Sequence, residues 1–174
     1  MTMGRVAVEK NIEAFLSLDL PGSKVVVGDG PQKAELERNF PDVHFLGEKR
    51  GSDLSSHLAA ADVFVFPSLT DTFGVVQLEA LACGTPVAAF PITGPLDVIA
   101  GRPIGAIDHD LRAACLRALN MSRETCRSFA LERSREKSAR QFLGNLTALQ
   151  PSRSLRAVHR VAGRSAYEAD RTLG

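Results

Sequence analysis

Residues 64–90, FVFPSLTDTFGVVQLEALACGTPVAAF, decide the fold of this chain. The apolar run at 63–66 ends at Pro67, which has no backbone N–H to donate to a sheet ladder. Short polar residues follow, and apolar side chains then recur at helical spacing over about 73–83. Gly84 is placed to end that helix, and a second apolar run comes after it. The stretch therefore predicts a buried strand, a tight loop, a helix and a second buried strand.

The same alternation extends in both directions from this unit. Apolar, β-branched runs predict further strands at 24–27, 43–46 and 104–107, and a short first strand of about three residues before Gly4. Helical spacing predicts helices at 9–18, 32–39, 54–60, 96–100 and 111–119, one from an N-cap at Ser122 to about 149, and loops at 48–53 and 92–95. The pattern indicates an α/β fold with an open, Rossmann-like parallel sheet and helices on both faces. Ligands of such sheets bind outside the carboxyl ends of the strands.

The composition is that of an ordinary globular protein. The 174 residues are 44% hydrophobic and 24% charged, and the formal net charge is +1. With no Trp and one Tyr, the chain offers no stacking platform for bases, so we expect no nucleic-acid partner. No apolar run is long enough for a membrane span, and the N-terminus has no signal-peptide pattern. Three cysteines favour a reduced, cytoplasmic setting, with peripheral attachment at the inner membrane left open.

Residues 1–150 are expected to form the domain, and residues 151–174 a basic tail. In a helix, four arginines of the tail would form one stripe: Arg153, Arg156, Arg160 and Arg164. Such a stripe would suit an acidic partner or lipid headgroups. Charge runs are usually solvated, however, which favours a flexible tail.

Charged residues stand at the predicted ends of two strands. Arg5 and Lys10 flank the first helix and could neutralise a diphosphate, although solvated surface cations are the alternative. Asp71 lies at the start of the central helix, and Glu79 lies two turns further in. A helix N-terminus favours anions, and a carboxylate in an otherwise apolar helix accepts from hydroxyls or faces solvent. These groups suit an anionic ligand that carries sugar hydroxyls.

Two shorter patterns favour structural interpretations. The GDGP segment at 28–31 contains Gly28 and Gly30 but lacks the third glycine of a dinucleotide fingerprint, so a turn that ends a strand is the better account. Asp108-His109-Asp110 has the D-x-D spacing of a metal motif, but it precedes a predicted helix, which favours N-capping. No metal site is therefore predicted.

Five segments, in one order, resemble a known family. They are Gly4-Arg5, Glu9-Lys10-Asn11, GDGP at 28–31, ADVFVFPS at 61–68 and TDTFGVVQLEALACGTPVA at 70–88. Together they resemble the retaining, nucleotide-sugar-dependent GT-B glycosyltransferases of the family-4 type, the glycosyl transferases group 1. The family signature is an acid, seven residues and a Glu, which here falls on Asp71 and Glu79. The resemblance covers about residues 4–146 and corresponds to the C-terminal, donor-binding half of a GT-B fold.

The resemblance implies a role for each matching residue. Arg5 and Lys10 would bind the diphosphate of the donor and stabilise its charge as it leaves, so that neither a metal nor a cofactor is needed. Asp71 would face the transferred hexose, and Glu79 would hold the ribose hydroxyls. The remaining substrate-binding positions are the backbone amides of Phe73, Gly74 and Val75 at the helix start, Gly28 and Gly30, and Thr93 and Gly94, which would close on the donor.

The chain departs from the family pattern in two respects. The first acid of the signature is Asp71 rather than the commoner Glu, and nothing in the chain matches the N-terminal domain that binds the acceptor. The expected function is therefore a hexosyltransferase that transfers from a nucleoside diphosphate sugar to an unknown acceptor, truncated and without its acceptor domain. A non-catalytic nucleotide-sugar-binding module that works with a partner protein is the alternative. A dinucleotide-binding dehydrogenase fragment is a third, against which the missing third glycine counts.

Overall fold

A computed structural model describes residues 1–70 and 74–133 of the chain. The predicted domain boundary at 150, the basic tail and the extension of the last helix to 149 lie outside the described residues, as do Asp71 and Phe73. Among the described residues, no helix combines the length and apolar character needed to cross a bilayer.

Within residues 1–70 and 74–133, six short parallel strands form the sheet layer: β1 (Thr2–Met3), β2 (Val25–Val27), β3 (His44–Phe45), β4 (Phe64–Phe66), β5 (Val87–Ala89) and β6 (Gly105–Ile107). They pair as two three-stranded sheets in the orders β1-β2-β3 and β4-β5-β6. Two hydrogen bonds connect the sheets at Met1: its amino nitrogen donates to Val63 O at 2.7 Å, and its carbonyl accepts from Val65 N at 2.8 Å. β1 therefore lies beside β4, and we call this junction between the two sheets the seam. The strands run across the layer in the order β3-β2-β1-β4-β5-β6, so successive strands are added in opposite directions on the two sides of the seam.

Seven α-helices surround these strands in the described part of the chain: α1 (Ile12–Leu16), α2 (Lys33–Asn39), α3 (Gly51–Ala60), α4 (Val75–Ala82), α5 (Thr93–Ile99), α6 (Leu111–Ala118) and α7 (Arg123–Glu132). A 3₁₀ turn at Val8–Lys10 precedes α1. The strands alternate with helices along the chain as the sequence predicts.

The buried apolar side chains form two clusters, one on each face of the sheet layer. Phe64 and Phe66 of β4 belong to one cluster with residues of α3, α4, α5 and α7. Val65, which points the other way from the same strand, belongs to the second cluster with residues of α1, α2 and α6. The predicted fold class, a parallel sheet covered by helices on both faces, is confirmed.

The helix of the central unit ends as its sequence predicts. Gly84 has φ 76° and follows the C-cap of α4. Its N–H donates to Leu81 O at 2.9 Å, and the N–H of Thr85 donates to Ala80 O at 2.9 Å. These two bonds form a Schellman motif, which satisfies carbonyls that the end of a helix otherwise leaves without partners.

Three helices begin three residues away from their predicted starts. The helix predicted at 9–18 begins only at Ile12, because Asn11 adopts a left-handed conformation with φ 50°. α3 begins at Gly51, inside the predicted loop 48–53. α5 begins at Thr93, inside the predicted loop 92–95, because Pro95 lies in its first turn, where a missing N–H costs no intrahelical bond.

Candidate functional site

A cavity of ≈ 350 Å³ opens where the carboxyl ends of β1 and β4 meet. The side chains and backbone that line it come from both sides of the seam and include Arg5, Lys10, Pro67, Ser68, Gly74 and Val75. This is the point at which the strand order reverses, where open α/β sheets bind their ligands. The structure thus brings four of the predicted site residues, Arg5, Lys10, Gly74 and Val75, into one cavity.

Both cations come from the loop that follows β1. The Arg5 guanidinium is 3.6 Å from Glu9 Oε1, and their side chains are 68% and 49% exposed. Because an ion pair this exposed contributes little free energy, an anion in the cavity can compete with Glu9 for Arg5. Lys10 ends the 3₁₀ turn and is half-buried at the cavity. The turn folds the loop back, so that the two cations line the same space.

Two glycines of the loop after β2 pack against the backbone of the loop that carries Arg5. Gly28 has φ 137°, and a Cβ on it would lie 1.9 Å from Gly4 O. A Cβ on Gly30 would lie 2.3 Å from Val6 O, and Val6 N donates to Asp29 O at 2.9 Å. Neither glycine lines the cavity, so their position indicates close backbone packing. Their predicted contact with the substrate stays a prediction.

The start of α4 forms the other wall of the cavity. Gly74 is the N-cap residue with φ 67°, and a Cβ there would lie 2.8 Å from the ring of Phe66. Both the conformation and the packing therefore require glycine. Val75, 54% exposed, follows as the first helical residue and lines the cavity. The N–H groups at the start of a helix have no intrahelical partner, and they attract anions.

Glu79 does not line the cavity but lies on the adjoining surface. It is exposed and follows Val75 by four residues, so the two side chains share one face of α4. Four residues correspond to about 6 Å along a helix axis. The carboxylate therefore lies one turn from the cavity rim, within the span of a nucleotide.

Thr93 and Gly94 lie in the first turn of α5, after β5. Thr93 is exposed, Gly94 is buried, and neither lines the cavity between β1 and β4. Their predicted closure on a donor stays a prediction.

The Asp108-His109-Asp110 segment is a helix cap. Asp110 Oδ1 accepts from Arg112 N at 2.9 Å and from Ala113 N at 3.2 Å at the start of α6. Asp108 accepts from Asp110 N at 3.0 Å and pairs with Arg117 at 2.8 Å, and these bonds hold the pKa of Asp108 below its usual value. The N-cap interpretation is confirmed. Among the described residues, no group of three or more His, Cys, Asp or Glu side chains is placed to hold a metal ion.

A second cavity, of ≈ 310 Å³, opens at the opposite edge of the sheet, beside Met1. Its lining includes Phe15, Leu20 and Leu119, and the one Lys or Arg among its lining residues, Lys24, donates to Leu16 O at 2.6 Å. This cavity contains none of the predicted site residues and suits an anion poorly. The cavity between β1 and β4 is therefore the better candidate site.

Two polar residues at the seam were not predicted as site residues. Asn11 Nδ2 donates to Pro67 O at 3.0 Å, and Ser68 Oγ donates to Glu9 O at 3.3 Å. The preference of Asn for left-handed backbone is a sequence signal for a break at Asn11. The partners of these bonds, 56 and 59 residues away, have no such local signal.

The family model described as Glycosyl transferases group 1 matches residues 2–120. Sulfoquinovosyl transferase SQD2 of Arabidopsis thaliana is 41% identical over 102 residues, which are 56% of this chain and 20% of that protein. The GDP-mannose-dependent alpha-mannosyltransferase of Mycobacterium tuberculosis is 32% identical over 166 residues, covering 89% of this chain and 44% of that protein. The chain thus spans less than half the length of these two curated relatives.

A solved structure has the same fold. The crystal structure of the pneumococcal O-GlcNAc transferase GtfA in complex with UDP and GlcNAc superposes with a TM-score of 0.66 at 18% identity. The superposition covers 93% of this chain and 35% of that one. At this identity the likeness concerns the fold.

Proposed function

The chain belongs to the glycosyl transferases group 1 family, a GT-B family, and we propose that it binds a nucleoside diphosphate sugar as the donor-binding part of a retaining hexosyltransferase. The observation that carries this proposal is the cavity between β1 and β4, which joins two cations to the start of a helix. The solved neighbour that holds UDP and GlcNAc supports the same class of ligand.

Arg5 and Lys10 bind the diphosphate in this proposal. Both line the cavity, one exposed and one half-buried, and the amides at the start of α4 face the same space. When the bond between the sugar and the phosphate breaks, negative charge grows on the leaving diphosphate. Fixed cations and amides that stabilise growing charge supply the largest single contribution in many enzymes. A divalent metal is not needed for this step.

The carboxylates hold the two sugars of the donor. Glu79, one turn from the cavity along α4, accepts hydrogen bonds from the ribose hydroxyls. Asp71, which lies outside the described residues, faces the hexose together with the backbone amides of Phe73, Gly74 and Val75. Thr93 and Gly94 close on the donor from the start of α5.

The acceptor and the donor base are left open by this arrangement. The mannosyltransferase relative is named for GDP-mannose, and the solved neighbour holds UDP. Acceptor binding is not assigned to any of the residues that this proposal places at the donor. Retention of the anomeric configuration is tested by NMR of a transfer product once an acceptor is found.

A thermal-shift panel of GDP-, UDP- and ADP-sugars tests donor binding directly. One of them should raise the unfolding temperature, since a ligand at 100 times its Kd adds about 2.7 kcal/mol. Arg5→Ala and Lys10→Ala should weaken that response, whereas Arg38→Ala, at an exposed position near the far end of α2, should not. No response to any of the three donor classes would refute the proposal.

The ribose assignment has its own matched pair. Glu79→Gln keeps the shape of the side chain and removes its charge, and we expect it to weaken binding of the nucleoside diphosphate. Glu124→Gln makes the same change at an exposed position on α7 and should leave binding unchanged. Equal affinity of the two variants for the nucleoside diphosphate would refute the assignment of Glu79 to the ribose.

A further inference from the structure

Two side-chain hydrogen bonds cross the seam in opposite directions. Asn11 Nδ2 donates from the loop after β1 to Pro67 O, and Ser68 Oγ donates from the loop after β4 to Glu9 O. Lys10 lies between Glu9 and Asn11 in the chain. The backbone on both sides of this lysine is therefore anchored to the opposite half of the cavity.

The conformation of Asn11 indicates that its side chain serves this contact. It has φ 50° and ψ 37°, and among the described residues it is the one non-glycine position with positive φ. An Asn before a helix usually accepts a hydrogen bond from the first helical amides. Here Asn11 stands before α1 without making such a bond, and its amide reaches across the sheet instead.

Ser68 provides the reciprocal contact from a buried position. Its residue is 1% exposed and follows the buried Pro67. The hydrogen bond to Glu9 O is partly buried, and in surroundings of lower dielectric than water it is electrostatically stronger than the same bond in solvent. The two bonds together fix where the turn that carries Lys10 sits relative to the end of β4, where the ring of Phe66 packs against Gly74 at the start of α4.

We propose that Asn11, with Ser68 as its reciprocal partner, is a positioning residue that sets the distance between Lys10 and the start of α4. This inference rests on the proposed donor site, in which both groups address the diphosphate. Binding groups that are already in place lose less conformational entropy when the ligand arrives. The two bonds thus raise donor affinity without contact between Asn11 and the donor.

Two substitutions at Asn11 separate its backbone role from its side-chain role. Asn11→Gly keeps access to the left-handed conformation and removes the amide, whereas Asn11→Asp keeps the shape and places a carboxylate against Pro67 O. Titration calorimetry with a nucleoside diphosphate on the full chain should show a loss of affinity of up to roughly tenfold for Asn11→Gly, since the net worth of one hydrogen bond sets the upper limit. Asn11→Asp should lose at least as much.

Asn120→Gly is the matched control. Its amide donates to Leu116 O at 3.2 Å at the end of α6, away from the cavity. This variant also loses one hydrogen bond from an Asn side chain to a backbone carbonyl, and its affinity for the nucleoside diphosphate should equal that of the parent chain.

A double-mutant cycle shows whether Asn11 acts through the lysine. If it does, Asn11→Gly should weaken binding much less in a Lys10→Ala background than in the parent. A merely structural role would lower the unfolding temperature, leave the affinity of the folded fraction unchanged and show no such coupling. Ser68→Ala tests the same positioning independently if the Asn11 variants fold poorly.

The outcomes distinguish this inference from the function on which it rests. If the parent chain binds a nucleoside diphosphate and both Asn11→Gly and Ser68→Ala bind it equally well, the positioning role is refuted and the donor site stands. If the parent chain binds no nucleoside diphosphate, both are refuted.

Discussion

Replacing Gly28 by alanine tests how the loop that carries Arg5 is held. The new Cβ would lie 1.9 Å from Gly4 O and 2.9 Å from Gly4 C, both backbone atoms. The two loops cannot separate easily, because Gly4 N donates to Val27 O at 3.0 Å and Gly28 N donates to Gly47 O at 2.8 Å. The substitution should therefore strain the loop, weaken these bonds or both.

Substitution of a second glycine allows the free-energy cost of the backbone conformation to be measured separately from the cost of packing. Gly22 has φ 84°, but a Cβ there would meet nothing within 4 Å, so Gly22→Ala measures the conformational cost alone. That cost is about 1–2 kcal/mol for a left-handed residue. Gly28→Ala, at φ 137°, adds the overlap with Gly4, and overpacking typically costs a further ~1–3 kcal/mol. We expect a total loss of roughly 2–5 kcal/mol in the free energy of unfolding.

Urea denaturation of the parent chain and both variants measures these differences. Gly28→Ala should be destabilised more than Gly22→Ala by at least about 1 kcal/mol, the low end of the overpacking range. Among folded molecules, Gly28→Ala should also bind a nucleoside diphosphate more weakly, because Arg5 moves with Gly4. Equal destabilisation by the two substitutions would refute the close-packing argument.

Three further predictions concern pH, thiol reactivity and charge. Burial lowers the pKa of the Met1 amino group from 8.0 to about 6, so the unfolded chain binds more protons between these values. Stability should then rise from pH 6 to pH 8 by at most roughly 2.7 kcal/mol, and acetylating the amino group should abolish this rise in urea denaturation. Burial raises the pKa of the Cys115 and Cys126 thiols to about 11, so iodoacetamide at pH 8 should modify them, by mass spectrometry, only after unfolding. Glu9→Gln should change the free energy of unfolding by less than about 0.5 kcal/mol, because the ion pair between Glu9 and Arg5 is exposed. It should also tighten nucleoside diphosphate binding at low salt in calorimetry, because Arg5 loses a competing partner, and unchanged or weaker binding would contradict this.

The sequence predicts the central unit well because its boundaries are set by local chemistry. Pro67 ends a strand for lack of an N–H, and Gly84 ends a helix because it enters the left-handed region without strain. The alternation of Val65 with Phe64 and Phe66 fills two opposite faces, which a strand with helices on both sides requires. These rules need no knowledge of distant parts of the chain.

The first helix was mispredicted because two local signals compete. Apolar spacing continues through residues 9–18, and it outweighs one asparagine when the pattern is read as a whole. In the structure, the hydrogen bond from Asn11 to Pro67 O favours the left-handed break, and that partner is 56 residues away. A contact over this separation has no local signature, so periodicity alone cannot reveal it.

The glycines at Gly28 and Gly30 show the same limit for the site. Two glycines this close in sequence indicate an unusual backbone conformation or a close approach of other atoms. Either a ligand or a neighbouring chain segment can require this. The structure places the Gly4 and Val6 carbonyls where their side chains would be. Sequence therefore indicates where a side chain is not tolerated, while the nature of the neighbouring group depends on the tertiary fold.

The contacts across the seam between β1 and β4 affect the candidate site, because the cavity lies at the carboxyl ends of these two strands. Met1 connects the two sheets at the amino ends of these strands, and Asn11 and Ser68 connect them at the carboxyl ends, beside the cavity. When a ligand contacts Lys10 on one side and the start of α4 on the other, its affinity depends on the width of this seam. Because the bonds nearest the cavity are made by side chains, single substitutions can alter that width while the strand pairing at Met1 is kept.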